Sequence, residues 1–106
     1  MYFDYVKERL GQEVIQNEYG FILYYINGQD CFIVDLYVKP EHRRKNIATE
    51  LADQVQEIAQ KRGCTKIWGQ VVVGSGGDFV ALMSHFSWGL RLHSANANCI
   101  VTVKEI

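Results

Sequence analysis

From Val38 to Leu51 the chain reads Val-Lys-Pro-Glu-His-Arg-Arg-Lys-Asn-Ile-Ala-Thr-Glu-Leu, so a strand end passes through a proline turn and a basic run into a helix. The helix is amphipathic. Ile47, Leu51, Val55 and Ile58 recur at helical spacing with Ala48, Ala52 and Ala59 beside them, while Glu50, Asp53, Gln54, Gln56, Glu57 and Gln60 supply a wet face. It should run from about Asn46 to Arg62, with Lys61 and Arg62 suiting the last turn and Gly63 stopping it. Apolar strands flank it at Cys31–Val38 and Thr65–Val73. Such an order aims the free N–H groups of a helix start, backed by positive charge, at one point in space, which suits a phosphate or pyrophosphate. Taken alone, the run reads better as a solvated basic turn before a surface helix.

The other segments complete a single domain over residues 1–106. Tyr2 to Leu10 suits a short helix closed by Gly11, and Glu13 to Asn17 a first strand. Gly20 to Ile26 is rich in β-branched and aromatic residues, and Asn27-Gly28 after it is a hairpin signal. In Cys31–Val38 only Asp35 interrupts the apolar run, which predicts an interior strand covered on both faces. Asp78 to Trp88 reads as a second helix ended by Gly89, and Cys99 to Glu105 as a final antiparallel edge strand. The expected order is (α)βββαβαβ. That is an α/β (α+β) chain with a mixed sheet and helices on both faces.

The net charge of −1 argues against a protein that coats nucleic acid, because phosphate binding on that scale needs a sustained positive field. The local run from Lys39 to Lys45 still suits one phosphorylated ligand. Cys31, Cys64 and Cys99 are odd in number, widely spaced and without a CxxC pair, so they are expected to be reduced, structural thiols. No apolar run approaches the roughly 18 residues of a membrane span, and no signal-peptide pattern opens the chain. A cytoplasmic protein without membrane contact is the expectation.

Residues Val38-Lys39-Pro40 followed by Arg43-Arg44-Lys45-Asn46-Ile47-Ala48 resemble the acyl-CoA-binding motif of the GNAT superfamily of N-acetyltransferases. That motif is a strand ending in Val-x-Pro, then Arg-x-x-Gly-x-Gly/Ala, then a helix. Arg43 and Ala48 match, and Asn46 replaces the middle glycine. Asparagine visits positive φ more readily than most residues, so the loop can keep its shape. A second block, Asp78, Ala81, His85, Gly89 and Leu90, falls at the spacing of the family's Asn-x-x-Ala-x-x-x-Tyr-x-x-x-Gly-Phe. Alanine and glycine fit, whereas asparagine, tyrosine and phenylalanine have become Asp78, His85 and Leu90. The resemblance covers most of the chain, although the family usually carries a longer N-terminal half.

The resemblance implies acetyl transfer from acetyl-CoA to an amine, which is a small molecule or a protein amine, with no metal. It places the donor in a splay between Cys31–Val38 and Thr65–Val73. The backbone of Leu36 and Tyr37 would pair with the pantetheine arm, and the Val38 N–H would face the thioester carbonyl. The loop from Arg43 through Arg44, Lys45, Asn46, Ile47 and Ala48 to Thr49 would hold the pyrophosphate, with Asp78 also at the cofactor. Arg43 and Arg44 are the expected phosphate ligands, one of them solvent-exposed. His85 stands where the family often has a tyrosine that protonates the leaving thiolate, and imidazole could do the same. A single helix histidine is more often a surface or packing residue. Asp35 is a candidate base, or else a strand carboxylate paired with lysine or facing water.

Gly74-Ser75-Gly76-Gly77 lacks the Walker ending and the spacing of a dinucleotide fingerprint, so a turn is the simpler role. Trp68 and Trp88 read as core or interface residues. A homodimer would cover exposed strand edges. The alternative to the enzyme is a catalytically degenerate interaction or structural module. It draws on Asn46, His85, Leu90 and the short N-terminal half. A nucleic-acid-binding module ranks behind both.

Overall fold

The computed structural model describes residues 11–43, 45–74 and 76–106, and within its second helix the side chains of Asp78 and Phe79 are not described. The expected helix Tyr2–Leu10 and the candidate Arg44 therefore lie outside the described residues. Strands are β1 (Glu13–Gln16), β2 (Gly20–Asn27), β3 (Asp30–Val38), β4 (Lys66–Val72), β5 (Arg91–Ala95) and β6 (Cys99–Glu105). A 3-10 turn, Pro40–His42, leads into helix α1 (Ile47–Lys61), and α2 (Asp78–Trp88) follows β4. The strands form one mixed sheet in the order β1-β2-β3-β4-β6-β5, antiparallel except where β3 lies beside β4.

Helix α1 forms as its periodicity dictates. Ile47, Leu51, Val55 and Ala59 pack with Ile22, Tyr24, Cys31, Val38 and Ile67 of the sheet. Burying each larger aliphatic side chain there contributes about 1.5–3 kcal/mol. The helix stops at Gly63, whose φ is 81°, and the Cys64 N–H donates back to the Ala59 carbonyl at 2.9 Å. Cys31 and Cys64 are buried, and all three cysteines are free. Burial pushes the Cys31 thiol up to about 12, so it packs as a small apolar group and does not react as a thiolate at neutral pH.

Helix α2 lies on the same face as α1. The Trp88 indole N–H donates to Asp53 Oδ1 of α1 at 2.8 Å. Lys104 Nζ of β6 donates to Gln56 Oε1 at 2.7 Å and to the Trp88 carbonyl at 3.1 Å, with its ammonium 4.0 Å from the Trp88 ring centroid. A partly buried lysine over an indole face adds a cation–π contribution to this clasp between helices. Helices on both faces would require one outside the described residues. The second face carries Tyr25, Phe32 and Trp68 in a row, with centroids 4.8 and 6.3 Å apart. Trp68 is thus half-buried and stacked on Phe32, and its indole N–H donates to Asp30 Oδ1 at 2.9 Å.

Three expectations need correction. The strand Arg91–Ala95 went unseen because its residues, Arg-Leu-His-Ser-Ala, are exposed throughout and carry no apolar alternation. It occupies the sheet edge, so β6 is an interior strand between β4 and β5. Strand β3 is not covered on both faces. Leu23 pairs with Asp35 and Tyr24 with Ile33, which leaves Val34 as the extra residue of a β-bulge. The bulge turns Val34 and Asp35 outward together, and both are exposed, as is Tyr37 beyond them.

Candidate functional site

The sheet is open at its centre. Strands β3 and β4 pair only at Asp30↔Lys66, Cys31↔Ile67 and Phe32↔Trp68. Beyond that point β3 continues to Val38 and β4 to Val72 without pairing to each other. Parallel neighbours that part in this way leave backbone N–H and C=O groups facing a gap, and those groups need partners. A groove of about 580 Å³ lies there, lined by Phe32, Val34, Trp68, Gly69 and Val72 among others.

The β3 end is held firmly. Lys39 N–H donates to the Tyr19 carbonyl at 2.8 Å, and the Tyr19 and His42 rings lie 4.4 Å apart. Arg43 folds back on the strand it follows. Its Nε donates to the Val38 carbonyl at 3.1 Å, and its guanidinium carbon sits 5.9 Å from the Tyr37 ring centroid. Arg43 therefore straps the loop to β3, leaving only its terminal nitrogens to face a ligand.

Asn46 adopts φ 63° and ψ 15°, the left-handed conformation that its type allows. That residue turns the chain into α1, whose first internal bond runs from Glu50 N–H to the Asn46 carbonyl at 3.0 Å. Among the described residues nothing caps the N–H groups of Ile47, Ala48 and Thr49. A helix start left open in this way suits an anion. Lys45 and Thr49 are exposed there, whereas Ile47 is buried in the core and Ala48 half-buried against it. Asn46→Ala should destabilise the fold by about 1–2 kcal/mol through left-handed strain, and Asn46→Gly should not. Urea unfolding of the two variants measures the difference.

The remaining candidates separate. Leu36 packs toward α1, while Asp35 and Tyr37 are exposed on the other face. Asp78 opens α2. His85 is half-buried on α2, its Nδ1 2.9 Å from Thr102 Oγ1 of β6. Two residues of this cluster escaped the sequence reading. Thr102 is fully buried, and Gly69 is the β4 residue over which the imidazole stands. No motif marks either, since the contact arises from register: Gly69 pairs with Thr102 across β4 and β6.

Burial holds the His85 pKa below its ordinary 6.5. With the folded value depressed, the unfolded chain binds the proton more readily. Stability is therefore complete above about pH 6.5 and falls as pH drops through the window between the two values. Urea midpoints should fall more between about pH 7.5 and 5.5 for the wild type than for His85→Gln. Equal falls would contradict the assignment.

A family model described as the acetyltransferase (GNAT) family matches residues 14–76. A thialysine N-ε-acetyltransferase from Bos taurus is 34% identical over 53 residues, which is 45% of this chain and 31% of that protein's length. The corresponding enzyme of Sus scrofa is 35% identical over 52 residues, again spanning 31% of its length. The PaiA N-acetyltransferase of Thermoplasma acidophilum, solved with coenzyme A, superposes with a TM-score of 0.79 at 18% identity, covering 95% of this chain and 66% of that one. An acetyltransferase from Bacillus cereus gives a TM-score of 0.75 at 18% identity over 90% of this chain and 71% of its own.

Proposed function

The chain belongs to the acetyltransferase (GNAT) family, and from that premise we propose that it moves an acetyl group from acetyl-CoA to an amine by direct attack. The observation that carries the reading is the parting of β3 and β4 beside an uncapped helix start. A pantetheine arm is an extended chain with amide groups and suits the edge of β3 around Leu36 and Tyr37 that β4 leaves unpaired. The Val38 N–H would face the thioester carbonyl, where a fixed donor stabilises developing oxyanion charge. The N–H groups of Ile47, Ala48 and Thr49 suit the pyrophosphate, with Lys45, Arg44 and the terminal nitrogens of Arg43 adding charge. Asp78 is retained as a donor-site residue by its place in the family motif.

In the reaction the neutral amine attacks the carbonyl carbon, a C–N bond forms, and the C–S bond breaks with its electron pair leaving on sulfur. The ammonium must first lose a proton. Asp35, exposed on the bulge at the edge of the splay, can accept it directly or through water. The chain covers less than a third of the length of its thialysine-acetylating relatives, so their acceptor is adopted here only as a first trial. It points to an amine at the end of a lysine-like side chain. The free cysteines, two of them buried, suit a reducing cytoplasm.

The test is release of the CoA thiol from acetyl-CoA with and without thialysine, lysine and unrelated primary amines. Amine-dependent thiol release supports the reading. A folded protein that binds acetyl-CoA but releases thiol with none of these amines would favour the non-catalytic alternative.

A further inference from the structure

The contact between His85 and Thr102 fixes more than a ring position. Thr102 is fully buried, the one buried polar residue among those described, and its hydroxyl has a single described partner, Nδ1 of His85 at 2.9 Å. Two arrangements share that distance. If Nδ1 carried the proton and donated to Oγ1, the threonine hydroxyl proton would be left buried without an acceptor, which is costly. If the hydroxyl donates to Nδ1, the buried hydroxyl proton is used, and the imidazole proton sits on Nε2, which is not among the fully buried unpartnered atoms. We infer that Thr102 locks His85 as the neutral tautomer protonated on Nε2, making it a fixed hydrogen-bond donor at the splay and not a proton donor.

Two further observations support this. Gly69 directly follows Trp68, the last β4 residue paired to β3, so it stands where the strands begin to part. A Cβ there would lie 2.8 Å from Thr102 Oγ1, 3.0 Å from His85 Cε1 and 3.1 Å from its Nδ1. Glycine thus opens the space in which the imidazole rests against β4 beside the gap. Burial also keeps the ring neutral, with no charged side chain adding to the effect. The nearest cation along β6, Lys104, is turned to Gln56 and the Trp88 carbonyl. Nε2 has no partner among the described residues.

The consequence rests on the transferase reading. A neutral imidazole that surrendered its Nε2 proton would become an imidazolate, which is far too basic to form at neutral pH. His85 therefore keeps its proton and hydrogen-bonds to the sulfur as the C–S bond breaks, as neutral histidines do at other developing anions. The thiolate leaves as the anion and takes its proton from water or from the proton released by the amine. Thr102 acts through His85 as a positioning residue.

The experiment is ring-nitrogen NMR of protein labelled with 15N-histidine, combined with steady-state kinetics. The chain has 3 histidines, and His85→Gln assigns the signals. At about pH 7 the wild type should show His85 with Nε2 protonated and Nδ1 bare. Thr102→Val should give a mixture of tautomers and lower kcat about tenfold with little change in KM for acetyl-CoA. Thr102→Ser, which restores the hydroxyl, should recover both. An Nδ1-protonated or doubly protonated ring in the wild type would overturn the inference, as would a Thr102→Val protein with unaltered ring signals. The expected ring spectrum in a protein without transferase activity would uphold the tautomer and overturn the transferase reading.

Discussion

Gly20→Ala should cost on the order of 3 kcal/mol of folding stability, because the added methyl would meet the backbone of Tyr37 and Val38 on the neighbouring strand. Gly20 pairs with Val38 at the end of the β2–β3 ladder. A Cβ at this position would overlap the Tyr37 carbonyl oxygen and lie 3.0 Å from Val38 Cα and 3.1 Å from the Tyr37 carbonyl carbon. Flexible side chains could swing away, but these atoms cannot. Relief requires the strands to part, which pulls on the bond from Lys39 N–H to Tyr19 and on the Arg43 strap to Val38. The damage should therefore reach the end of β3 proposed to hold the donor. Urea denaturation of wild type and variant gives the difference directly, and a loss below about 0.5 kcal/mol would mean that the close approach is not real.

Thr49→Asp should separate binding from stability, moving them in opposite directions. Thr49 is exposed in the first turn of α1, so a carboxylate there meets the positive end of the helix and should stabilise the fold by about 0.3–1 kcal/mol. The same carboxylate would stand beside the N–H groups assigned to the pyrophosphate. Like charges at that range should weaken acetyl-CoA binding by about 10- to 100-fold. A merely surface residue would show the first effect without the second. Melting temperature and calorimetric affinity, measured on one preparation, distinguish the two.

Much of this architecture is written locally in the chain. The stripe through Ile47, Leu51 and Val55 identified α1 to within a residue at each end, since helix periodicity and the Gly63 stop are short-range signals. Asn46 was legible as a stand-in for glycine because its left-handed tolerance belongs to the residue type. What depended on pairing was hidden. The bulge at Val34, the parting of β3 from β4 and the meeting of His85 with Thr102 and Gly69 all arise from the register of strands far apart in sequence. Strand β5 was hidden for another reason: an exposed edge needs no apolar alternation, so Arg91 to Ala95 resembles a loop. The motif marks Arg43 as a phosphate ligand, and only the structure adds that its Nε straps the loop to β3.

The central claim is that the helix start at Asn46–Thr49 and the gap between β3 and β4 together hold an acyl-CoA. Calorimetric titration of the folded protein with acetyl-CoA tests it most directly, with ADP and free CoA as comparisons. The account predicts saturable binding of one acetyl-CoA per chain, weakened by Thr49→Asp and only partly reproduced by ADP, which offers the pyrophosphate without the pantetheine arm. No heat of binding to a protein shown by circular dichroism to be folded would contradict it.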